Sequence, residues 1–218
     1  MDDPVPVEIK TKTGIDVGLS SLITMSNGEQ IKPPEFLRAS EKKLTREQIR
    51  LSRKKKLSNN RIRQKTIVAR THRTIRNQRK DFAHKISRML ADTYNHIVFE
   101  GLQIKNMTQN HHLAKSISDA GWYQLIQFTN YKAAYAGNVV ELVNPRNTSQ
   151  NCSGCHSPVP KDLKVRIHSC PFCGLILDRD HNAAINILKR SSTAGTAGIN
   201  ACLSGLNRAM MTQDAPCL

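Results

Sequence analysis

Two cysteine pairs, Cys152-Ser-Gly-Cys155 and Cys170-Pro-Phe-Cys173, stand fourteen residues apart, and an acidic run, Asp178-Arg-Asp180-His-Asn182-Ala-Ala, follows them directly. Each CxxC turn can present two sulfurs on one side, and two such turns close a tetrahedral thiolate cage. Four thiolates leave no open coordination position, so Cys152, Cys155, Cys170 and Cys173 suit a structural zinc, not a catalytic one. A pair of redox-active CxxC motifs is the competing reading. His156 and His168 lie beside the ligands and are read as bystanders. Cys202 and Cys217 have no partner at ligand spacing and are read as free thiols.

A second set of residues could do acid chemistry. Asp16 lies in Gly14-Ile-Asp-Val-Gly18, where small neighbours let a metal and a phosphodiester approach a strand closely. Glu100 ends the apolar run His96-Ile-Val-Phe, and Asp178 and Asp180 open a helical segment. Two Mg²⁺ (or Mn²⁺) ions about 4 Å apart need several such oxygens to activate water and steady a leaving oxygen. Taken singly, each has a plainer reading: a strand-edge carboxylate, a solvated strand end, a helix cap. Their order along a strongly basic chain favours a shared catalytic role.

The chain of 218 residues has a formal net charge of +16, with 5% aromatic and 39% hydrophobic residues. Such an excess attracts polyanions, nucleic acid first among them. Between Lys42 and Leu90 eighteen basic residues face only Glu47 and Asp81. Lys54, Lys55, Lys56, Arg61, Arg63, Arg73, Arg76 and Arg79 are the candidate contacts, to phosphates more than to bases, because aromatic residues are scarce there. The sequence has no apolar run of bilayer-spanning length and no signal-peptide pattern, so no membrane is expected. Cysteine usage without export signals predicts a cytoplasmic protein.

The elements that must position these groups read as follows. Residues 14–25 predict a strand, Ser26-Asn-Gly-Glu29 a hairpin turn, and Gln30-Ile31 the return strand. Residues 40–95 predict a basic helical hairpin, capped at Ser40 and broken at Leu57-Ser-Asn-Asn60, with Val68, Ile75, Phe82, Ile86, Met89 and Leu90 as its apolar stripe. Residues 96–100 read as a buried strand and 101–117 as polar loop. Residues 118–136 read as one helix stopped by Gly137-Asn138, and 139–143 as a strand. The cysteine module covers 150–175, and 180–190 forms a last helix. The tail from Ser191 is expected to be flexible.

Several motifs together resemble the TnpB (OrfB) family of insertion-sequence proteins, relatives of type V CRISPR effectors. They are Gly14-Ile-Asp-Val-Gly18, Ile97-Val-Phe-Glu-Gly-Leu102, Leu113-Ala-Lys-Ser-Ile-Ser-Asp-Ala-Gly-Trp122, the two CxxC knuckles and Asp178-Arg-Asp-His-Asn-Ala-Ala184. The resemblance implies an α/β, RNase H-like (RuvC-type) nuclease domain over residues 12–190, with a mixed sheet, the helical hairpin and an inserted zinc ribbon. It implies metal-dependent, RNA-guided DNA cleavage in a bacterial, nucleoid-associated setting, with DNA and a guide RNA as partners. It places the catalytic triad on Asp16, Glu100 and Asp180, with Asp180 preferred to Asp178. Asp16 lies so near the start that an N-terminal half usual in the family is expected to be missing. A non-catalytic zinc-ribbon remnant that binds nucleic acid, or a strand-joining transposase or resolvase, are the alternative expectations. Oligomeric state is not legible.

Overall fold

Successive side chains along a strand point to opposite faces of the sheet, and those faces decide where Asp16 and Glu100 end up. A computed structural model of the chain describes residues 11–34, 36–107, 109–162 and 164–191. The expected flexible tail and its two cysteines lie outside the described residues, apart from Ser191.

Five strands form a mixed sheet in the order β3-β2-β1-β4-β5. They are β1 (Lys12–Val17), β2 (Ile23–Met25), β3 (Gln30–Ile31), β4 (His96–Glu100) and β5 (Val139–Val143). β1 and β5 run parallel to β4, while β2 and β3 complete an antiparallel meander on β1. The strand predicted over 14–25 is therefore two strands. The chain turns back over Gly18–Leu22, closed by the Gly18 N–H on the Leu22 carbonyl (3.3 Å). The Asn27-Gly28 turn forms as expected, with Gly28 at φ +91°.

The helices are α1 (Phe36–Ser52), α2 (Asn59–Thr93), α3 (Ile104–Met107), α4 (His111–Ala120), α5 (Trp122–Tyr135) and α6 (Arg179–Lys189). Ser40 lies inside α1, not at its cap. Leu57, at φ 64°, and the Ser58 side chain, which accepts from the Arg61 N–H, separate α1 from α2. Helices α3 and α4 occupy most of the stretch expected to be loop. The helix expected over 118–136 is broken at Gly121, whose φ of 64° suits a residue without a Cβ. The deepest positions of α2 include Gln64, Thr71, Ala83 and Ser87 beside Ile75 and Leu90, so its buried face is more polar than the apolar stripe suggested. Gln64 earns its place by donating to Glu47 Oε2 (2.9 Å) and to the Glu47 carbonyl (3.2 Å), which joins the two helices.

One face of the sheet carries Ile15, Val17, Ile97, Phe99 and Val140 into the main core, against Leu90 of α2 and Trp122 and Leu125 of α5. The opposite face carries Val98 and Val143 against Ile187 and Leu188 of α6. Because successive side chains alternate, Gly14, Asp16 and Glu100 share that second face with α6. Gly14 is the contact point. A Cβ there would stand 2.5 Å from Leu188 N, 2.8 Å from Leu188 Cβ and still nearer the Ala184 carbonyl oxygen. Gly14→Ala should therefore lower stability by about 1–3 kcal/mol in urea denaturation, because backbone in α6 must shift. An unchanged midpoint would mean that α6 lies farther from β1.

A separate two-stranded antiparallel sheet, β6 (Ile167–Ser169) with β7 (Ile176–Asp178), carries the second cysteine knuckle. It runs three residues past the expected end of the module and leads straight into α6.

Candidate active site and metal centre

Asp16 is the penultimate residue of β1 and Glu100 the last of β4, so both stand at the carboxyl ends of neighbouring parallel strands. Ligand crevices of open α/β sheets lie at that end. Helix α6 starts over the same end. Its N-cap is Asp178, whose Oδ1 accepts from the Asp180 N–H (2.9 Å) and the His181 N–H (3.2 Å). Asp178 is thus occupied with capping, while Asp180 sits in the first turn. The His181 ring reaches the Ser26 carbonyl oxygen (3.2 Å) and lies against Gly28, which ties the start of α6 to the β2–β3 turn.

Charge in this corner is poorly balanced. Burial raises the Asp16 pKa well above the usual aspartate value, and the nearby charges of Glu100, Asp180 and Asp178 push it further, with Arg179 opposing. Burial also raises the Glu100 pKa, against the Thr148 hydroxyl, which donates to Glu100 Oε1, and the charge of Arg190. Asp180 is held by Arg179, Nη2 to Oδ1 at 3.2 Å, and by Arg166, Nη1 to Oδ2 at 3.6 Å. Glu100 and Asp180 both act on Asp16 electrostatically, yet among the described residues the three carboxylates do not form a group with ligand oxygens in mutual reach of the kind the four cysteines form. A divalent cation would remove the repulsion that now keeps Asp16 reluctant to ionise.

The four cysteines converge. Cys152 Sγ lies 3.6 Å from Cys173 Sγ, Cys155 Sγ lies 3.5 Å from Cys170 Sγ, and all four ligand atoms lie within 4.8 Å of one another. Zinc–sulfur bonds of about 2.3 Å set tetrahedral sulfurs roughly 3.8 Å apart, so the cage has the size of one metal ion. Disulfides, with sulfurs about 2.05 Å apart, do not describe it. Hydrogen bonds from Ser157 lower the Cys155 thiol to about 6. Cys173 is pushed up to about 12: its backbone bond to Leu175 favours the thiolate, but burial and the sulfurs of Cys170, Cys152 and Cys155 outweigh it. Four sulfurs this close could hold a metal ion among them. Among the described residues this is the one His, Cys, Asp or Glu group found with ligand atoms in such mutual reach, and neither His156 nor His168 belongs to it. His168 is fully buried and contacts Lys161 Nζ.

The basic residues divide. Lys54, Lys55 and Lys56, in the α1–α2 turn, and Arg63, Arg73 and Arg76, on α2, are exposed. Arg61 and Arg79, read with them as polyanion contacts, also make bonds within the chain. Arg61 Nη1 donates to the Leu51 (2.8 Å) and Lys54 (3.1 Å) carbonyls and closes the end of α1. Arg79 forms an ion pair with Asp119 of α4, Nη2 to Oδ1 at 2.6 Å. Aromatic rings, scarce on α2, are more numerous on α5. Phe128 stacks on His84 with centroids 4.0 Å apart, and Tyr131 and Tyr135 continue the row outward. Sequence reading also missed Thr148, Asn182 and Asn186, which bond to residues 29 to 48 positions away along the chain.

The mixed α/β architecture is shared with Cas12f. A Cas12f1–sgRNA–target DNA complex superposes with a TM-score of 0.60 and 19% identity over 86% of this chain and 51% of that one. A CRISPR-Cas12f ternary complex gives 0.64 and 20%, over 88% and 41%. Residues 1–111 match the OrfB family of IS605, described as "Probable transposase", and the chain belongs to that family. Residues 122–187 match the "Cas12f1-like, TNB domain". Among relatives, the chain is 38% identical over 187 residues to a "Putative RNA-guided DNA endonuclease" of Streptomyces pristinaespiralis, covering 85% of this chain and 46% of that protein. It is 35% identical over 191 residues to the "Putative RNA-guided DNA endonuclease InsQ" of Escherichia coli (strain K12), covering 80% and 48%. The chain spans about half the length of these two relatives. Among the described residues, no helix is long and apolar enough to cross a membrane.

Proposed function

We propose that this chain is the catalytic part of an RNA-guided DNA endonuclease, with a RuvC-type nuclease domain and an inserted zinc ribbon over residues 12–190. Asp16, Glu100 and Asp180 are the ligands of two Mg²⁺ (or Mn²⁺) ions, and Cys152, Cys155, Cys170 and Cys173 hold a structural Zn²⁺. The observation that carries this reading is that Asp16 and Glu100 stand at the carboxyl ends of the neighbouring parallel strands β1 and β4 with Asp180 in the first turn of α6, and the repulsion from these acids, which raises Asp16, supports it. A solvated structural carboxylate has no need of such repulsion, whereas a cation site is built from it.

When bound, the divalent ions supply an activated water for in-line attack on a DNA phosphodiester and stabilise the departing 3′-oxygen. The chain's own residues prepare the site. Gly14 lets α6 lie directly on β1, which brings Asp180 to the face that bears Asp16 and Glu100. Arg166 and Arg179 fix the Asp180 carboxylate, and Thr148 fixes that of Glu100. The exposed cations from Lys54 to Arg76 offer a phosphate track. DNA and a guide RNA are the partners this reading requires.

The test is a cleavage assay on single- and double-stranded DNA with Mg²⁺, after bound nucleic acid and zinc in the purified chain are quantified. The parent should cut, and Asp16→Ala should lose cutting by at least about 10³-fold with zinc content and fold unchanged. An Asp16→Ala variant that cuts like the parent would overturn the assignment. A chain that binds nucleic acid and never cuts it would support a binding remnant instead.

A further inference from the structure

A line of buried hydrogen bonds joins the thiolate knuckle to Glu100, although neither centre needs it to complete its ligand set. It begins beside Cys152, where the Ser153 N–H donates to Asn182 Oδ1 (2.8 Å) and Asn182 Nδ2 donates to the Asn151 carbonyl (2.9 Å). One helical turn on, Asn186 Nδ2 donates to the carbonyls of Asn151 and Thr148, both at 2.8 Å. Thr148 then places its hydroxyl on Glu100 Oε1. Asn182 is 0% exposed, Thr148 3%, Asn186 5% and Glu100 7%.

Two physical consequences follow from this burial. A displaced knuckle would leave buried amides and carbonyls unpaired, which is costly, so the line tends to hold or release as a unit. The Thr148 hydroxyl also has two acceptors, Glu100 Oε1 and the Pro145 carbonyl (3.0 Å), and a single proton to give. The placement of the 145–151 loop therefore decides which acceptor it serves. Both asparagines stand on α6, the helix that opens with Asp180, so knuckle, loop and two of the three acids share one framework.

We propose that Asn182, Asn186 and Thr148 act as a strut through which closure of the four-cysteine knuckle positions Glu100, so that zinc loading raises the affinity of the carboxylates for a divalent cation. The proposal rests on reading Asp16, Glu100 and Asp180 as cation ligands. Thr148 is a positioning residue, because it acts only through Glu100. Coupling of this kind is reciprocal, so a divalent cation on the carboxylates also tightens the hold on zinc.

The experiment measures Mn²⁺ affinity by calorimetry and electron paramagnetic resonance on the whole chain, with zinc content and circular dichroism recorded for each variant. The parent should bind Mn²⁺ in an Asp16-dependent way. Thr148→Val should weaken binding by about 10–100-fold at unchanged zinc content and helicity, with Thr148→Ser restoring most of it. Asn186→Ala, which leaves the hydroxyl in place, should weaken binding in the same direction. Stripping zinc from the parent should produce a similar loss, and stripping it from Thr148→Val should add little, because both cut the same line. Parent-like Mn²⁺ affinity in Thr148→Val and Asn186→Ala, or losses that simply add, would overturn the strut and leave the carboxylate reading standing. Mn²⁺ binding indifferent to Asp16→Ala would overturn both.

Discussion

Asp16→Asn should make the protein more stable in Mg²⁺-free buffer at neutral pH while removing its capacity for metal-dependent cleavage. Burial and the charges of Glu100, Asp180 and Asp178 hold the Asp16 pKa above its unfolded value of about 3.9, so the unfolded chain gives up its proton first. As pH rises through that unfolded value, ionisation favours the unfolded state. The penalty grows until the folded pKa is passed and is then fully present. The isosteric amide carries none of it. The melting temperature of the variant should exceed that of the parent by a margin that opens above about pH 4 and reaches a plateau once the native carboxyl ionises. In a chain of this size each kcal/mol relieved is worth about 2–4 °C. Mg²⁺ should raise the melting temperature of the parent and leave the variant nearly unmoved, because a cation stabilises only the state that binds it. A variant less stable than the parent at pH 8, with zinc content intact, would show that the Asp16 carboxylate serves a structural bond.

Part of this site is legible in the amino-acid sequence itself. Gly14-Ile-Asp-Val-Gly18 and His96-Ile-Val-Phe-Glu100 signal strands through local composition, and Asp178 signals a helix start through capping chemistry. The two CxxC pairs carry their spacing in the sequence itself. What stayed hidden depends on distant partners. Gln64, Thr71 and Ser87 lie on the buried face of α2, where a search for apolar residues passes over them, and Gln64 is satisfied only by Glu47 of another helix. In a run of eighteen cations, Arg61 and Arg79 look like their neighbours, yet one caps α1 and the other grips Asp119. The turn at Gly18–Leu22 was concealed by apolar residues on both sides of it, which read as one continuous strand. Thr148, Asn182 and Asn186 leave no periodic trace, because the partners that bury them come from a loop and a strand 29 to 48 residues away.

Removing zinc should unfold the region around residues 150–178 while the helical layer survives. Among the described residues, the apolar cluster of the cysteine module is Cys152, Val159 and Cys170 with Leu175 against it, and its sheet is two strands of three residues. A two-stranded hairpin of that size is at best marginal in water. On the proposed reading its folding comes from a bound metal, since binding to such sites contributes about 10–16 kcal/mol at neutral pH. Without that cation the four sulfurs repel as thiolates or crowd as thiols. The α2–α5 layer rests on a different core, built from Leu90, Trp122 and Leu125 against the main sheet, and shares none of these ligands. Hydrogen exchange after chelation should therefore show protection lost across 150–178 and retained in α2, β1 and β4, with most far-ultraviolet helical signal intact. Cys170→Ser should reproduce the pattern without a chelator, since the oxygen is a poorer ligand for this cage. The loss should spread into the first turn of α6, because the Asn182 bonds to Asn151 and Ser153 are anchored on the knuckle. Unchanged protection across 150–178 in a chain shown to be free of zinc would mean that the knuckle folds by packing alone. The cage would then be a passenger, not the organiser of the acid corner.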